Sequence, residues 1–248
     1  MLKLQGIEKR LGGQAVLRGV NLQVGQGERV VVIGRSGCGK SVMLRIIMGL
    51  LPPDAGEVIF EGTKLTGLSE EDWNPYRRKI GMLFQGAALF DSLSVFENLA
   101  FPLREAGEKN EKVLGEKVAE ALKIVSLSGT ERKMPAELSG GMKKRAALAR
   151  AIIRKPDLML YDEPTTGLDP IVADSINRLI LHLGEMLGMA SIVVTHDMVS
   201  ARMVGDRIAY LHEGKIYFEG TPAQVDRCED PLVRDFVRGH AEGTGVTG

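Results

Sequence analysis

The chain has 248 residues, 44% hydrophobic and 26% charged, with 32 Lys and Arg against 32 Asp and Glu. That length gives roughly one to two domains and a core large enough to fold without staples, and the balanced charge argues against a nucleic-acid binder that works through a strongly basic surface. The sequence shows no signal pattern and no apolar run near the roughly 18–20 residues that span a bilayer, and Cys38 and Cys228 lack metal-ligand spacing, so a soluble protein of a reducing cytosol is expected, with any membrane role exercised through a partner.

In chain order, Leu2–Glu28 and Gly56–Leu65 have strand-and-turn character and predict a small antiparallel sheet. Four short apolar runs, Val30–Ile33, Ile80–Phe84, Leu158–Tyr161 and Ser191–Thr195, are β-branched or bulky and alternate with helical patterns, the habit of buried parallel strands. Each run ends on a polar tip: the glycine-rich loop from Gly34, then Gln85, then Asp162-Glu163, then His196. Open α/β sheets gather ligands at the carboxyl ends of their strands, so four reactive residue types are delivered to one edge. Val42–Leu50, Lys117–Ser128 and Pro170–Leu187 read as helices, the last two each with one apolar stripe. Residues 87–156 are mostly helical and read as an inserted subdomain. Residues 1–86 and 157–220 read as the α/β core with its β-subdomain, and 221–248 as a C-terminal helical extension expected to fray over Glu242–Gly248.

Gly34-Arg35-Ser36-Gly37-Cys38-Gly39-Lys40-Ser41 matches G-x-x-x-x-G-K-[ST] throughout. In such a loop the backbone amides wrap phosphates, the lysine (Lys40) reaches the β/γ oxygens and the hydroxyl (Ser41) ligates Mg²⁺. Behind a buried strand, Asp162 is expected to hold Mg²⁺ through water and Glu163 to orient or deprotonate an attacking water. A second glycine motif, Leu138-Ser139-Gly140-Gly141-Met142, opens an Ala/Leu-rich helix, and a helix start of that kind is a site for anions. Two phosphate-seeking helix starts in one small chain point to one nucleotide held from two sides, most simply between two copies of the chain.

Together these motifs resemble ATP-binding cassette (ABC) ATPases over nearly the whole chain. The resemblance implies a P-loop NTPase (RecA-like) α/β fold with a parallel sheet, an antiparallel β-subdomain and an inserted helical subdomain. It also implies ATP and Mg²⁺ as ligands. It makes Ser139, Gly140 and Gly141 the signature that contacts the partner copy's nucleotide. Gln85 becomes the Q-loop contact to metal, water and transporter, and His196 in Thr195-His196-Asp197 the switch histidine at the γ-phosphate. Asp169 in Thr166-Gly167-Leu168-Asp169 becomes a dimer-interface residue that also suits the cap of the helix starting at Pro170. Met142 stands where Gln is commonest, and Leu11 stands where an aromatic often stacks on adenine. The stretch Phe84–Leu103, Met142 with its following basic run, and Asp230–Gly239 are similar to the ATPases of Mla-type and Mce-associated lipid transporters. That likeness implies a homodimer at the cytoplasmic face of the inner membrane, peripheral to it, bound to an integral permease. It also implies a small STAS-domain protein and a membrane-anchored Mce-type lipid-binding protein as further partners, with no nucleic acid. An ATPase of an amino-acid or other small-solute importer is the alternative in the same class. A soluble cassette ATPase of DNA repair or translation usually carries two cassettes or a long coiled-coil insertion, neither of which is read here. Glu163 and His196 argue against a regulator that senses nucleotide without hydrolysis.

Overall fold

The computed structural model describes residues 1–239, so the stretch Glu242–Gly248, expected to fray, lies outside the described residues. The chain divides into two compact units, Met1–Gly67 with the chain from Val193 onward, and Leu68–Ile192.

In the first unit, β1 (Leu2–Leu11), β2 (Gln14–Val24), β4 (Ala55–Phe60) and β5 (Thr63–Lys64) form the expected antiparallel sheet, in the order β2-β1-β4-β5. Alternation fixes its register: Leu2 and Leu4 are buried while Lys3 is exposed, and Leu4 lies opposite both Leu22 and Val58. The buried strand β3 (Arg29–Ile33) runs parallel to β9 (Arg207–His212), which turns back antiparallel into β10 (Lys215–Gly220). The sequence reading does not include this hairpin, which turns on Glu213 and Gly214 at φ +45° and +77°. Arg207 adds side-chain ties to the hairpin's main-chain ladder: the guanidinium donates across the hairpin to Glu219, and to Glu28 at 2.8 Å and the Gln23 carbonyl before β3. Helix α1 (Lys40–Ile47) begins at the P-loop lysine and stops short of the expected Leu50. Gly49 takes φ +66° there, and the Leu50 amide bonds back to Arg45 O at 2.9 Å, which closes the last turn. Helices α7 (Met198–Val204), α8 (Pro222–Asp226) and α9 (Pro231–Val237) complete this unit.

The second unit contains α2 (Glu70–Arg77), β6 (Ile80–Leu83), α3 (Val95–Glu105), α4 (Glu111–Ile124), a 3-10 turn over Pro135–Glu137, α5 (Gly140–Ile152), β7 (Leu158–Asp162) and α6 (Pro170–Leu187). Strand β8 (Ala190–Thr195) returns the chain to the first unit. Strands β6 and β7 pair in parallel from Ile80↔Leu158 to Leu83↔Tyr161 and are buried at every position, which is why they lack alternation. Helix α6 has the expected bounds, with Asp169 as its cap. Helix α4 starts six residues before the expected Lys117, because Asn110 caps it by accepting from the Lys112 amide at 3.0 Å. It ends at Ile124, before Ser126 takes φ +58°.

Tyr161 of β7 is fully buried, and its hydroxyl has no hydrogen-bond partner among the described residues. Burial without a partner also pushes its phenol well above the usual tyrosine range. Removing an unsatisfied buried hydroxyl recovers about 1 kcal/mol or more. Tyr161→Phe is therefore expected to raise the melting temperature by about 2–4 °C, as read by thermal unfolding; a lower melting temperature would contradict this account.

Candidate active site

In the first unit, the loop Gly34–Ser41 joins β3 to α1. Its glycines answer to geometry. A Cβ on Gly34 would lie 2.5 Å from the Leu211 carbonyl oxygen. Gly39 has φ +108°, and a Cβ there would lie 2.7 Å from Leu17 Cδ2. Arg35, Ser36 and Gly37 are exposed, Cys38 and Ser41 are half-buried, and the Cys38 amide closes a turn onto Arg35 O at 3.3 Å. The buried Lys40 folds its ammonium back onto the loop's own carbonyls, Gly34 O at 2.7 Å and Arg35 O at 3.0 Å. Leu11, at the end of β1, is 41% exposed. His196 is exposed after β8, and its neighbour Asp197 caps α7. Burial raises the Asp197 carboxyl, but bonds from Ser200 and Val199, and then the charge of His196, leave it below the usual range.

The second unit carries the other candidates. Gln85 follows β6 and is exposed. Asp162 and Glu163 end β7, and both are buried. Glu163 is only 8% exposed and sits at φ +48°. A left-handed backbone at a residue with a side chain costs about 1–2 kcal/mol and persists only where the surroundings over-determine it. Its carboxylate accepts from Thr166 Oγ1 at 3.1 Å. The signature motif forms the start of α5: Ser139 is the N-cap and accepts from the Met142 amide at 3.3 Å, and Ser139 and Gly140 are exposed. A Cβ on Gly141 would lie 2.6 Å from Val172 Cγ1, so glycine lets α5 approach the first turn of α6. Asp169 caps that turn, accepting from Ile171 at 3.1 Å and Val172 at 3.0 Å.

The helix starts differ in charge. Among the described helices of 8 residues or more, α2, α3, α4 and α6 each place a carboxylate at the cap or in the first turn. Helices α1 and α5 place none, and Gly39 gives α1 no side-chain cap at all. These two starts are therefore the ones left to an outside anion.

Sequence reading missed three residues of the second unit. The basic run Lys143-Lys144-Arg145 has the composition of a solvated face, yet Lys144 is 5% exposed. Its ammonium donates to the carbonyls of Gln85 and, at 3.4 Å, Glu163. Burial lowers the Lys144 pKa below the usual lysine range, against the pull of Asp162 and Glu163. Asn98, fully buried, accepts from the Phe90 amide at 2.8 Å and donates to Leu93 O and Ser94 O, each at 3.0 Å. Arg150 reaches Ala87 O at 3.2 Å and lies over the Phe90 ring at 5.7 Å. Together they fasten the loop that follows Gln85. No spacing rule marks them; the one available signal is Asn98 set directly before the apolar run Leu99–Leu103.

Comparison with known proteins bears on this geometry. The family model described as ABC transporter matches residues 17–166. The Arabidopsis thaliana protein trigalactosyldiacylglycerol 3, chloroplastic, is 42% identical across 98% of this chain and 75% of its own length. The intermembrane phospholipid transport system ATP-binding protein MlaF of Haemophilus influenzae is 39% identical across 98% of this chain and 92% of its own. The solved dimer of the ATP-binding cassette MJ0796 in a post-hydrolysis state, bound to ADP and Pi, superposes with a TM-score of 0.82 at 36% identity, covering 90% of this chain and 99% of that one.

The loop glycines differ in what they exclude. Gly37 has φ +79° with open space around it, so Gly37→Ala is expected to cost only the left-handed strain of about 1–2 kcal/mol. Gly39→Ala adds a collision with Leu17 and is expected to cost more and to abolish nucleotide binding. Urea unfolding with nucleotide titration checks the order; equal effects at the two positions would refute it.

Proposed function

The chain belongs to the ABC transporter family and is an ATPase, and we propose that it is the ATP-hydrolysing subunit of a bacterial lipid transporter, working as a homodimer on an integral membrane permease. The observation that carries this reading is the pair of helix starts without carboxylates, α1 and α5. One chain with two such starts suits a dimer in which α1 of one copy and α5 of the other hold the same nucleotide. The solved cassette dimer bound to ADP and Pi supports that arrangement. Lipid as the cargo rests on the relatives, one named for intermembrane phospholipid transport. No helix among the described residues is long and apolar enough to cross a membrane, so in this proposal the permease supplies the path. The subunit then sits peripherally on the cytoplasmic face of the inner membrane. A STAS-domain protein and an Mce-type lipid-binding protein are the further partners proposed.

Each residue has a role in this reading. The amides from Gly34 to Gly39, with Arg35, Ser36 and Cys38 between the glycines, wrap the phosphates. Lys40 gives up its carbonyl partners for the β/γ oxygens. Ser41, Gln85 and Asp162 are hard oxygen donors, the kind Mg²⁺ takes beside phosphate and water. Mg²⁺ when bound neutralises charge on the phosphate oxygens. Glu163 takes the proton of the attacking water, and His196 contacts the γ-phosphate. Ser139, Gly140 and Gly141 address the partner's nucleotide, Asp169 lies at the dimer contact, and Leu11 offers the base an apolar surface without stacking.

Glu163→Gln keeps the shape and removes the base. ATP hydrolysis is expected to fall about 10²–10⁴-fold, or about 3–5 kcal/mol of barrier, while ATP binding persists. Turnover within about threefold of wild type would sink the assignment.

The two helix starts separate by mutation. Lys40→Ala is expected to damage nucleotide binding by the isolated chain, whereas Ser139→Arg leaves that binding nearly intact and blocks the closed dimer. In mixed dimers with one mutation per copy, both fall on one composite site and the other stays whole. Equal loss of monomer binding in the two variants would contradict the two-sided reading. Co-purification of the chain with a permease, an Mce-domain protein and a STAS-domain protein encoded beside it tests the lipid assignment; a small-solute permease in their place would overturn it.

A further inference from the structure

Lys144 is buried in the second turn of α5, although the run around it is basic and could have been solvated. Burying an ammonium is unfavourable unless its donors are used. Two of them are used, on main-chain carbonyls 78 residues apart in sequence, those of Gln85 and Glu163. Each carbonyl belongs to a residue at the tip of a parallel strand: Gln85 follows β6, and Glu163 follows β7. Glu163 is also the residue at φ +48°, and it needs neighbours that hold it there. Thr166 holds its carboxylate and Lys144 its carbonyl.

We propose that Lys144 is a positioning residue for hydrolysis: from the signature helix it pins the backbone of Gln85 and Glu163, so that the Glu163 carboxylate is presented to the attacking water in one orientation. This rests on the reading of Glu163 as the general base. Lys144 touches neither nucleotide nor water in this role; it acts through the two carbonyls. A donor at this point matters more than a charge, because the acceptors are amide oxygens.

The test uses the purified full-length chain and measures ATPase kcat and KM, nucleotide affinity, and melting temperature. Lys144→Met fills the same channel without donors, and kcat is expected to fall at least tenfold with KM and affinity within threefold of wild type. Lys144→Arg restores donors and is expected to return kcat to within threefold. Should the Met variant fail to fold, Lys144→Leu, also without donors, carries the test: kcat falls at least threefold at unchanged KM. Unchanged kcat in the folded Met variant, or in the Leu variant read in its place, overturns the proposal. So does a loss that appears equally in affinity and melting temperature, which a merely structural lysine would give. Glu163→Gln in the same assay separates the two readings. If it is inactive while Lys144→Met is near wild type, only the positioning role falls. If Glu163→Gln itself turns over at the wild-type rate, the general-base reading falls and takes the positioning role with it.

Discussion

A polyphosphate held by backbone amides tolerates no carboxylate of the protein's own in the same place. Each helix start carries roughly half a positive charge, and an acid at the cap or in the first turn is worth about 0.3–1 kcal/mol to the helix. Most long helices here accept that stabilisation: α2 has Glu70, Glu71 and Asp72 in its first turn, and α6 has Asp169 as its cap. Helices α1 and α5 forgo it, one capped by a glycine and the other by a neutral serine. The forgone local stability leaves an electrostatic vacancy that a phosphate, with more charge than any carboxylate, fills more strongly. The glycine at 39 also serves packing, since it takes φ +108° and its missing Cβ leaves room for Leu17.

Hydrolysis adds a second demand, that polar groups after buried strands keep one arrangement. Strands β6 and β7 are rigid because every position is buried, but the loops after them have no ladder to hold them. In the second unit three polar side chains supply what the ladder does not. Asn98 and Arg150 fasten the segment from Ala87 to Ser94, and Lys144 fastens Gln85 and Glu163. All three are largely buried, and burial lowers the pKa of both Lys144 and Arg150 from their usual ranges. Buried cations with carbonyl partners make poor stabilisers and good locators, because a misplaced carbonyl leaves a charge unsatisfied.

What the sequence made legible follows from which signals are local. The strands at 30, 80, 158 and 191 announce themselves as short apolar runs, and α6 as a stripe with Asp169-Pro170 at its head. The phosphate loop and the signature are legible because glycine spacing is itself the chemistry. The β9–β10 hairpin was not read although its signal is local, an apolar run Ile208–Leu211 followed by a Glu213-Gly214 turn and an alternating strand; what no local window shows is the tie of Arg207 to Gln23 and Glu28, far back in the chain. Lys144 was hidden for a related reason: Lys143-Lys144-Arg145 has the composition of a solvated face, and only the packed structure shows that its middle residue points inward while Arg145 donates to Val125 O at 2.7 Å. Pairings across 59 residues leave no trace in a local window.

The same distinction between backbone and side chain explains why Met142 can stand where glutamine is commonest in the family. What position 142 contributes to the start of α5 is its amide, which donates to Ser139 Oγ at 3.3 Å and closes the cap. Any residue but proline supplies that donor. In the proposed function the anion-facing groups are the serine hydroxyl and the glycine amides, and the close approach of α5 to Val172 depends on Gly141, not on its neighbour. A side chain at 142 is therefore free to vary while the helix start keeps its geometry and its lack of negative charge, whereas a carboxylate there would occupy the site that the chain leaves for phosphate.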